Sequence, residues 1–372
     1  MLLPALAVVG ALAAIVVGST MPSDPESPAQ SPFEQSLDRL PADALDADGA
    51  VLYYVDLEMA WERADVGAEV EERFDRVGSM STIPTWTQPP FLFAQYFAQL
   101  DEARAEVGFT MFDIDREISV QAPPNNVAIA EIRVSPDDVA AAVQTDPLWS
   151  SQLTTIEHPG GAYFQWGDDP LATQLELRTP MRPLGQGGQL ALIGSDSEAT
   201  VVRTIDPADM EAVLSTAAGN GDSLLDDDFV AGAVAAIGDD EVLQVMAIDE
   251  AIRFDPAALI LTPEAIEEIL AETVLLQTYD GLMIVDLYDG AETRTEILLV
   301  YPDAEAAETN AALVEQALAE NDDLVSAQPL SELLPGAEVS TEGSVVVVAL
   351  SFEGAYPLAQ RMLVQRSLFP TS

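Results

Sequence analysis

Short β-like runs alternate along the chain with amphipathic, alanine-rich stretches. VLYYVD at 51–56 predicts a strand, and the LEMAWERADV that follows predicts a helix. Within 91–107, Phe91, Phe93, Ala94, Phe97 and Leu100 share one face at helical spacing, as expected of a helix turned to the core. VAIAEIRVSPDDVAAAVQ at 127–144 predicts a strand that breaks at Ser135-Pro136-Asp137 and turns straight into a helix. GAYFQWGDDP at 161–170 predicts a strand entering a turn. QLALIGSDSEATVVRTI at 189–205 is read as strand, acidic-serine turn and helix. SLLDDDFVAGAVAAIG at 223–238 predicts a short helix opened by aspartates, and EVLQVMAIDEA at 241–251 a strand.

The second part continues in the same manner. Thr262 and Pro263 mark an N-cap and first helical position for 262–274. The runs at 281–301 predict a hairpin around Asp289-Gly290. ILLVY then breaks at Pro302-Asp303 into a helix, repeating the device at Ser135-Pro136-Asp137. A helix start beside a sheet can hold an anion, but Asp303, Glu305 and Glu308 already occupy its positive end, so this joint reads as scaffold. SVVVVALSFEG at 344–354 is the plainest strand, and 356–369 closes as an amphipathic helix.

The order of elements divides the chain into two loosely related halves, 41–238 and 239–372. The fold class expected is α+β, with mixed or mainly antiparallel sheets and helices packed on one face. Ahead of them, Leu2 to Gly18 holds no charge and predicts a hydrophobic helix over 1–18, either an uncut membrane anchor or a cleaved signal segment. No A-x-A site follows it, which favours the anchor. Residues 19–40 are rich in Pro and Ser and read as a linker. Either form of the N-terminal segment puts the bulk of the chain outside the cytoplasm: on the cytoplasmic membrane as a single-pass protein, or secreted.

Charge narrows the partners. The 372 residues hold 64 Asp plus Glu against 14 Lys plus Arg, a net charge of -50, and every basic residue is Arg. Such a surface repels itself unless salt screens it, which points to a salt-rich habitat; an acidic exoprotein from a GC-rich genome is the alternative. Nucleic acid is not an expected partner, since phosphate binding needs clustered cations. The absence of Cys excludes disulfides, thiol catalysis and a lipid-modified cysteine.

GFTMFDIDREI, APPNNVAIAEIRVSPDDVAAAV, GAYFQWGDDP, LALIGSDSEATVVRTI and SLLDDDFVAGAVAAIG together resemble a loose group of bacterial membrane-anchored or exported proteins that share a domain of unknown function. The resemblance covers roughly 50–255. It implies an anchored extracytoplasmic α+β protein and carries no catalytic or ligand-binding residues with it.

Few chemistries are open. The single histidine, His158, precedes Pro-Gly-Gly and reads as a turn residue; no G-x-S-x-G elbow accompanies it. Without Lys there is no P-loop and no Schiff-base chemistry. No G-x-G-x-x-G fingerprint is present. Asp46, Asp48 and Gly49 fit the middle of a calcium loop, but Ala44 and Val55 stand at its two essential ends. Asp222, Asp226, Asp227 and Asp228 are the candidate metal ligands, with helix capping as the competing role. No catalytic residues and no cofactor are assigned. The expectation is a non-catalytic binding or interaction module of the cell envelope, contacting the membrane through its N-terminal helix and an envelope protein or ligand through the rest. An exported hydrolase using a carboxylate pair and a divalent-cation-dependent surface protein are the alternatives.

Overall fold

The computed structural model describes residues 30–67, 72–73, 99–123, 125–167, 172–179, 182, 184–194, 199–253, 271, 273–288 and 293–371. The expected N-terminal helix, residues 91–98 of the 91–107 helix, most of the 262–274 helix, and the Asp289-Gly290 turn lie outside these residues.

The chain is α+β. Among the described residues its helices are α1 (Pro32–Leu37), α2 (Leu57–Arg63), α3 (Leu100–Val107), α4 (Pro136–Thr145), α5 (Pro207–Ala217), α6 (Asp228–Ile237), α7 (Ala304–Glu320), α8 (Leu330–Leu333) and α9 (Ala355–Val364). The strands of the first half are β1 (Val51–Asp56), β2 (Ile114–Ala122), β3 (Asn125–Ile132), β4 (Leu153–Ile156), β5 (Tyr163–Trp166), β6 (Gly188–Gly194) and β7 (Ala199–Thr204). Those of the second are β8 (Glu241–Ile248), β9 (Gly281–Tyr288), β10 (Thr293–Val300), β11 (Glu338–Glu342) and β12 (Val345–Leu350).

These strands form one sheet in the order β11-β12-β10-β9-β8-β1-β2-β3-β7-β6-β5-β4. Every strand pairing in it is antiparallel, so the mixed-sheet alternative falls away. The two expected halves share this sheet through the β1–β8 pair, where Leu52 lies opposite Ala247 and Tyr54 opposite Val245.

Helices cover both faces, not one. On the first face Leu52, Tyr54, Val245, Val285 and Leu298 pack with Phe33 and Leu37 of α1, Val213 of α5 and Val230 of α6. On the other, Ile284, Leu299 and Val348 pack with Val314 of α7 and Met362 of α9. Val55, Ala130 and Val201 on that same side pack with Trp61 of α2, Val107 of α3 and Val143 of α4. The cause is visible in β8 and β9, where every residue from Val242 to Ile248 and from Gly281 to Leu287 is buried. A strand that buries both faces needs a layer on each.

Two further expectations change. Residues 30–40 are structured: Ser31 caps α1 in a capping box, and Phe33, Leu37 and Leu40 enter the core. The helix expected before 205 is strand β7. Thr200, Val201, Val202 and Thr204 are β-branched, and the run pairs with β3 on one side and β6 on the other.

Both strand-to-helix joints form, with different caps. At the first the cap is Ser135, not an aspartate: it accepts from the Asp138 N–H at 3.2 Å with Pro136 in the first turn of α4. At the second Asp303 accepts from the Ala306 N–H at 2.8 Å to start α7. Asp206-Pro207 builds the same joint for α5, a helix absent from the sequence reading.

Candidate ligand-binding cleft

Asp56 ends β1 and starts α2. Its Oδ1 accepts from the Met59 N–H at 2.8 Å as an N-cap, and its Oδ2 accepts from Arg116 Nε at 2.8 Å. Asp56, Arg116 and Glu131 lie side by side on three neighbouring strands in register, so the cross-strand pairing is built into the sheet. Arg116 Nη1 reaches Glu131 Oε2 at 3.0 Å and its Nη2 reaches Glu58 Oε2 at 2.7 Å. Arg39 closes one end on Glu131 Oε1 at 2.6 Å. At the other end Glu58 Oε1 accepts from Arg133 Nη2 at 3.2 Å, and Arg133 Nε meets Asp115 Oδ1 at 2.5 Å. Buried Arg73 donates to the Phe112 carbonyl at 2.8 Å, and its guanidinium lies 5.5 Å from the Trp61 ring centre. A rail of alternating charges thus crosses the end of the sheet.

Burial sets the local acidities. It pushes the Asp56 carboxyl up, against the pull of its Met59 bond and of Arg116. Burial opposes the Arg116 charge too, but Asp56 and Glu131 outweigh it and hold the guanidinium above its ordinary value. Burial would raise Glu131, yet Arg39 and Arg116 bring its carboxyl below the usual range. Arg73 is lowered to about 10 by burial and by Arg133.

Beside this rail, at the end of the sheet where β1 finishes and β8 begins, the surface opens into a cleft of about 520 Å³. Such a volume suits a small molecule. α1 supplies Ser31, Pro32 and Phe33; β1 and α2 supply Tyr54, Asp56, Glu58, Met59, Glu62 and Arg63; β2 supplies Arg116. The second half closes it with Asp239, Asp240, Glu241, Val242 and Tyr288. The cleft therefore needs residues from both sides of the β1–β8 pair. Arg63 lies 4.5 Å from the centre of the Tyr288 ring and donates to Thr293.

Tyr54 stands out within it. The side chain is 1% exposed, packs 4.9 Å from the Phe33 ring, and its hydroxyl has no hydrogen-bond partner among the described residues. Burial and then the nearby Asp56 keep that hydroxyl protonated far above the ordinary tyrosine range. A buried hydroxyl left unbonded costs about 1–3 kcal/mol, so its presence in a cleft wall calls for a partner.

The residues singled out from sequence sit elsewhere. Asp226 accepts from the Ser223 N–H and hydroxyl at 3.1 and 3.2 Å, and Asp227 accepts from the Val230 N–H at 3.1 Å as N-cap of α6. Asp222 joins the fold through its carbonyl, which accepts from Ala42 N at 3.1 Å, and Asp228 is the exposed first residue of α6. Asp226 and Asp227 thus act as caps, and among the described residues no group of three His, Cys, Asp or Glu is arranged to hold a metal ion. His158 accepts from Gly160 N at 3.1 Å in a turn. Asp46 ends a 3-10 turn over Ala42–Leu45 and Gly49 takes a left-handed φ of 73°, a tight bend and not a calcium loop. The sequence reading passed over Tyr54, Arg116 and Glu131. The available signal was a charge at an inward position of each of two adjacent strands, which calls for a cross-strand partner.

Comparison with family models finds no match, and comparison with curated proteins finds none. Among solved structures the chain is similar to TP0453. Its crystal form I matches at 10% identity and a TM-score of 0.37, over 90% of this chain and 97% of that one. Its crystal form III matches at 11% identity and a TM-score of 0.35, over 88% and 98%. At these values neither likeness bears on function.

Proposed function

We propose that this chain is a membrane-anchored, extracytoplasmic, non-catalytic binding module of the cell envelope, adapted to high salt, with its ligand seat in the cleft at the β1–β8 seam. The observation that carries the reading is the Tyr54 hydroxyl, buried in the cleft wall without a partner among the described residues. The charge of -50 and the uncharged run from Leu2 to Gly18 support the habitat and the anchor. Strand order supports descent of the halves from one unit. β8-β9-β10-β12-β11 and β1-β2-β3-β7-β6 run outward from the seam in matching order, with β4 and β5 inserted between β3 and β6 along the chain, and a helix follows β3, β10, β7 and β12 alike. A cleft shared by the halves then lies where the two copies meet.

For carboxylate-pair hydrolysis, Asp56 and Glu58 would make a poor pair: both are bonded to Arg116, so neither is free to attack or to give a proton.

The cleft is tested by thermal shift against a small-molecule set, with wild type and Tyr54→Phe side by side. A ligand that raises the wild-type midpoint and loses that effect in the variant supports the seat; ligands that shift both equally refute it. The anchor is tested by fractionating the native host. Recovery in the soluble fraction with residue 1 intact refutes it.

A further inference from the structure

We propose that the cleft takes a small organic cation bearing ammonium groups, held between the Tyr54 hydroxyl and the carboxylates of Glu62, Asp239 and Glu241. The inference rests on the cleft being the ligand seat and goes on to name what sits there.

The charges of the lining decide the sign. Two arginines line the cleft: Arg116 commits all three nitrogens to carboxylates, on Asp56, Glu58 and Glu131, and Arg63 donates to Thr293 and lies over the Tyr288 ring. Asp240 is held by Arg294 at 2.5 Å. The carboxylates of Glu62, Asp239 and Glu241 line the same cleft, stand exposed, and enter no hydrogen bond or ion pair among the described residues. An anion would meet these three acids in the field of a chain of net charge -50. A cation meets three carboxylates and a hydroxyl with lone pairs to offer.

Geometry decides between a metal and an organic cation. A divalent ion needs oxygens about 2.0–2.6 Å from a single point. Among the described residues no such group forms. An alkylammonium asks less: its N–H donors bond each oxygen separately, and a flexible stem can span acids that do not converge. The apolar part of the lining, Pro32, Phe33, Met59 and Val242, suits the methylene stem of a diamine. The cleft volume of about 520 Å³ accommodates it.

The test is isothermal titration of the full chain in 0.3 M potassium chloride. The probes are putrescine, magnesium chloride, sodium succinate and glucose. Putrescine is expected to bind at one site per chain. Tyr54→Phe should weaken it about five-fold, the worth of one ordinary hydrogen bond. The exposed pair Glu62→Gln with Glu241→Gln, which carries no folding role, should weaken it at least ten-fold. Glu338→Gln with Glu342→Gln, on the far edge strand β11, should leave it unchanged. Equal weakening by the far-edge pair would mean diffuse charge attraction and overturn the proposal. Binding of succinate or glucose, but not putrescine, with loss in Tyr54→Phe would keep the cleft as the seat and overturn the ammonium assignment. Magnesium binding tighter than putrescine overturns it as well. Silence from every probe, with no shift in melting midpoint, overturns the ammonium assignment and leaves the seat to the thermal-shift comparison.

Discussion

Replacing Glu106 by Gln should destabilise the protein by about 3 kcal/mol, because it strands a buried arginine. Glu106 on α3 is 3% exposed at its side chain and pairs with Arg182, which is 4% exposed. The guanidinium lies between two indoles, 4.7 Å from the Trp149 ring centre and 4.1 Å from that of Trp166. Thr179 also donates to Glu106 at 2.7 Å, and Trp149 Nε1 donates to the Leu177 carbonyl at 3.0 Å. The clamp thus fastens the segment between β5 and β6 to α3. Burial already works against the charge and lowers Arg182 to about 10. Breaking a buried pair by removing one partner costs about 3–5 kcal/mol. The Gln carbonyl can still accept a hydrogen bond and the indoles still face the cation, so the low end applies. Urea unfolding in fixed 2 M potassium chloride, followed by tryptophan fluorescence and circular dichroism, measures the loss through the midpoint at unchanged slope. Glu106→Leu combined with Arg182→Met should recover most of it, since a buried pair is often replaceable by apolar side chains of similar volume. A loss under about 1 kcal/mol in the single variant, or a double variant no better than Glu106→Gln, would refute the account.

Three other outcomes are expected. Asp249, in the turn after β8, is raised to about 6 by burial, then by Asp227, Asp46, Asp280 and Glu250. The folded state therefore holds a proton that the unfolded state releases near the ordinary carboxylate value, and this group's contribution to stability falls as pH rises from about 4 to 6. Asp249→Asn should flatten the urea-midpoint profile over that window; an unchanged profile counts against it. Raising potassium chloride from 0.1 to 2 M should raise the melting midpoint, because the screening length shrinks from about 10 Å at 0.1 M to about 3 Å at 1 M; a constant midpoint would sink the salt reading. Without ligand, Tyr54→Phe should unfold at equal or higher urea than wild type, since it removes a buried hydroxyl with no bond among the described residues. A loss above about 1 kcal/mol would mean the hydroxyl has a partner within the protein.

Sequence pattern located the scaffold better than the cleft, for physical reasons. The joints at Ser135-Pro136-Asp137 and Asp303 were legible because capping is local: the donor lies within three residues of the acceptor. The layering was open to the same kind of reading. The unbroken apolar run Val345–Leu350 lacks the alternation of a one-sided strand, and both of its faces are indeed covered. The β7 segment was misassigned because its preceding turn looked like a helix cap, while its identity rests on pairing with β3 and β6, which no local pattern contains. The cleft was hidden for the same reason. Arg116 meets Asp56 across sixty positions and Glu131 across fifteen, and only the register of three strands brings them together.

The candidate metal ligands and the cleft nevertheless grow from one device. In a lysine-free, acid-rich chain, aspartate is the ready N-cap: Asp56 caps α2, Asp206 α5, Asp227 α6 and Asp303 α7. At three of these joints the carboxylate only starts a helix. At Asp56 the joint falls on β1, next to the seam, with Arg116 directly across the strand pair. Its second oxygen is therefore drawn into the charge rail, and α2 is held at an angle that brings Glu58, Glu62 and Arg63 into the cleft lining. An acid cluster such as Asp222 to Asp228 attracts attention by density alone. A lone Asp at the end of a central strand matters more, because register supplies its partner and the seam supplies the space.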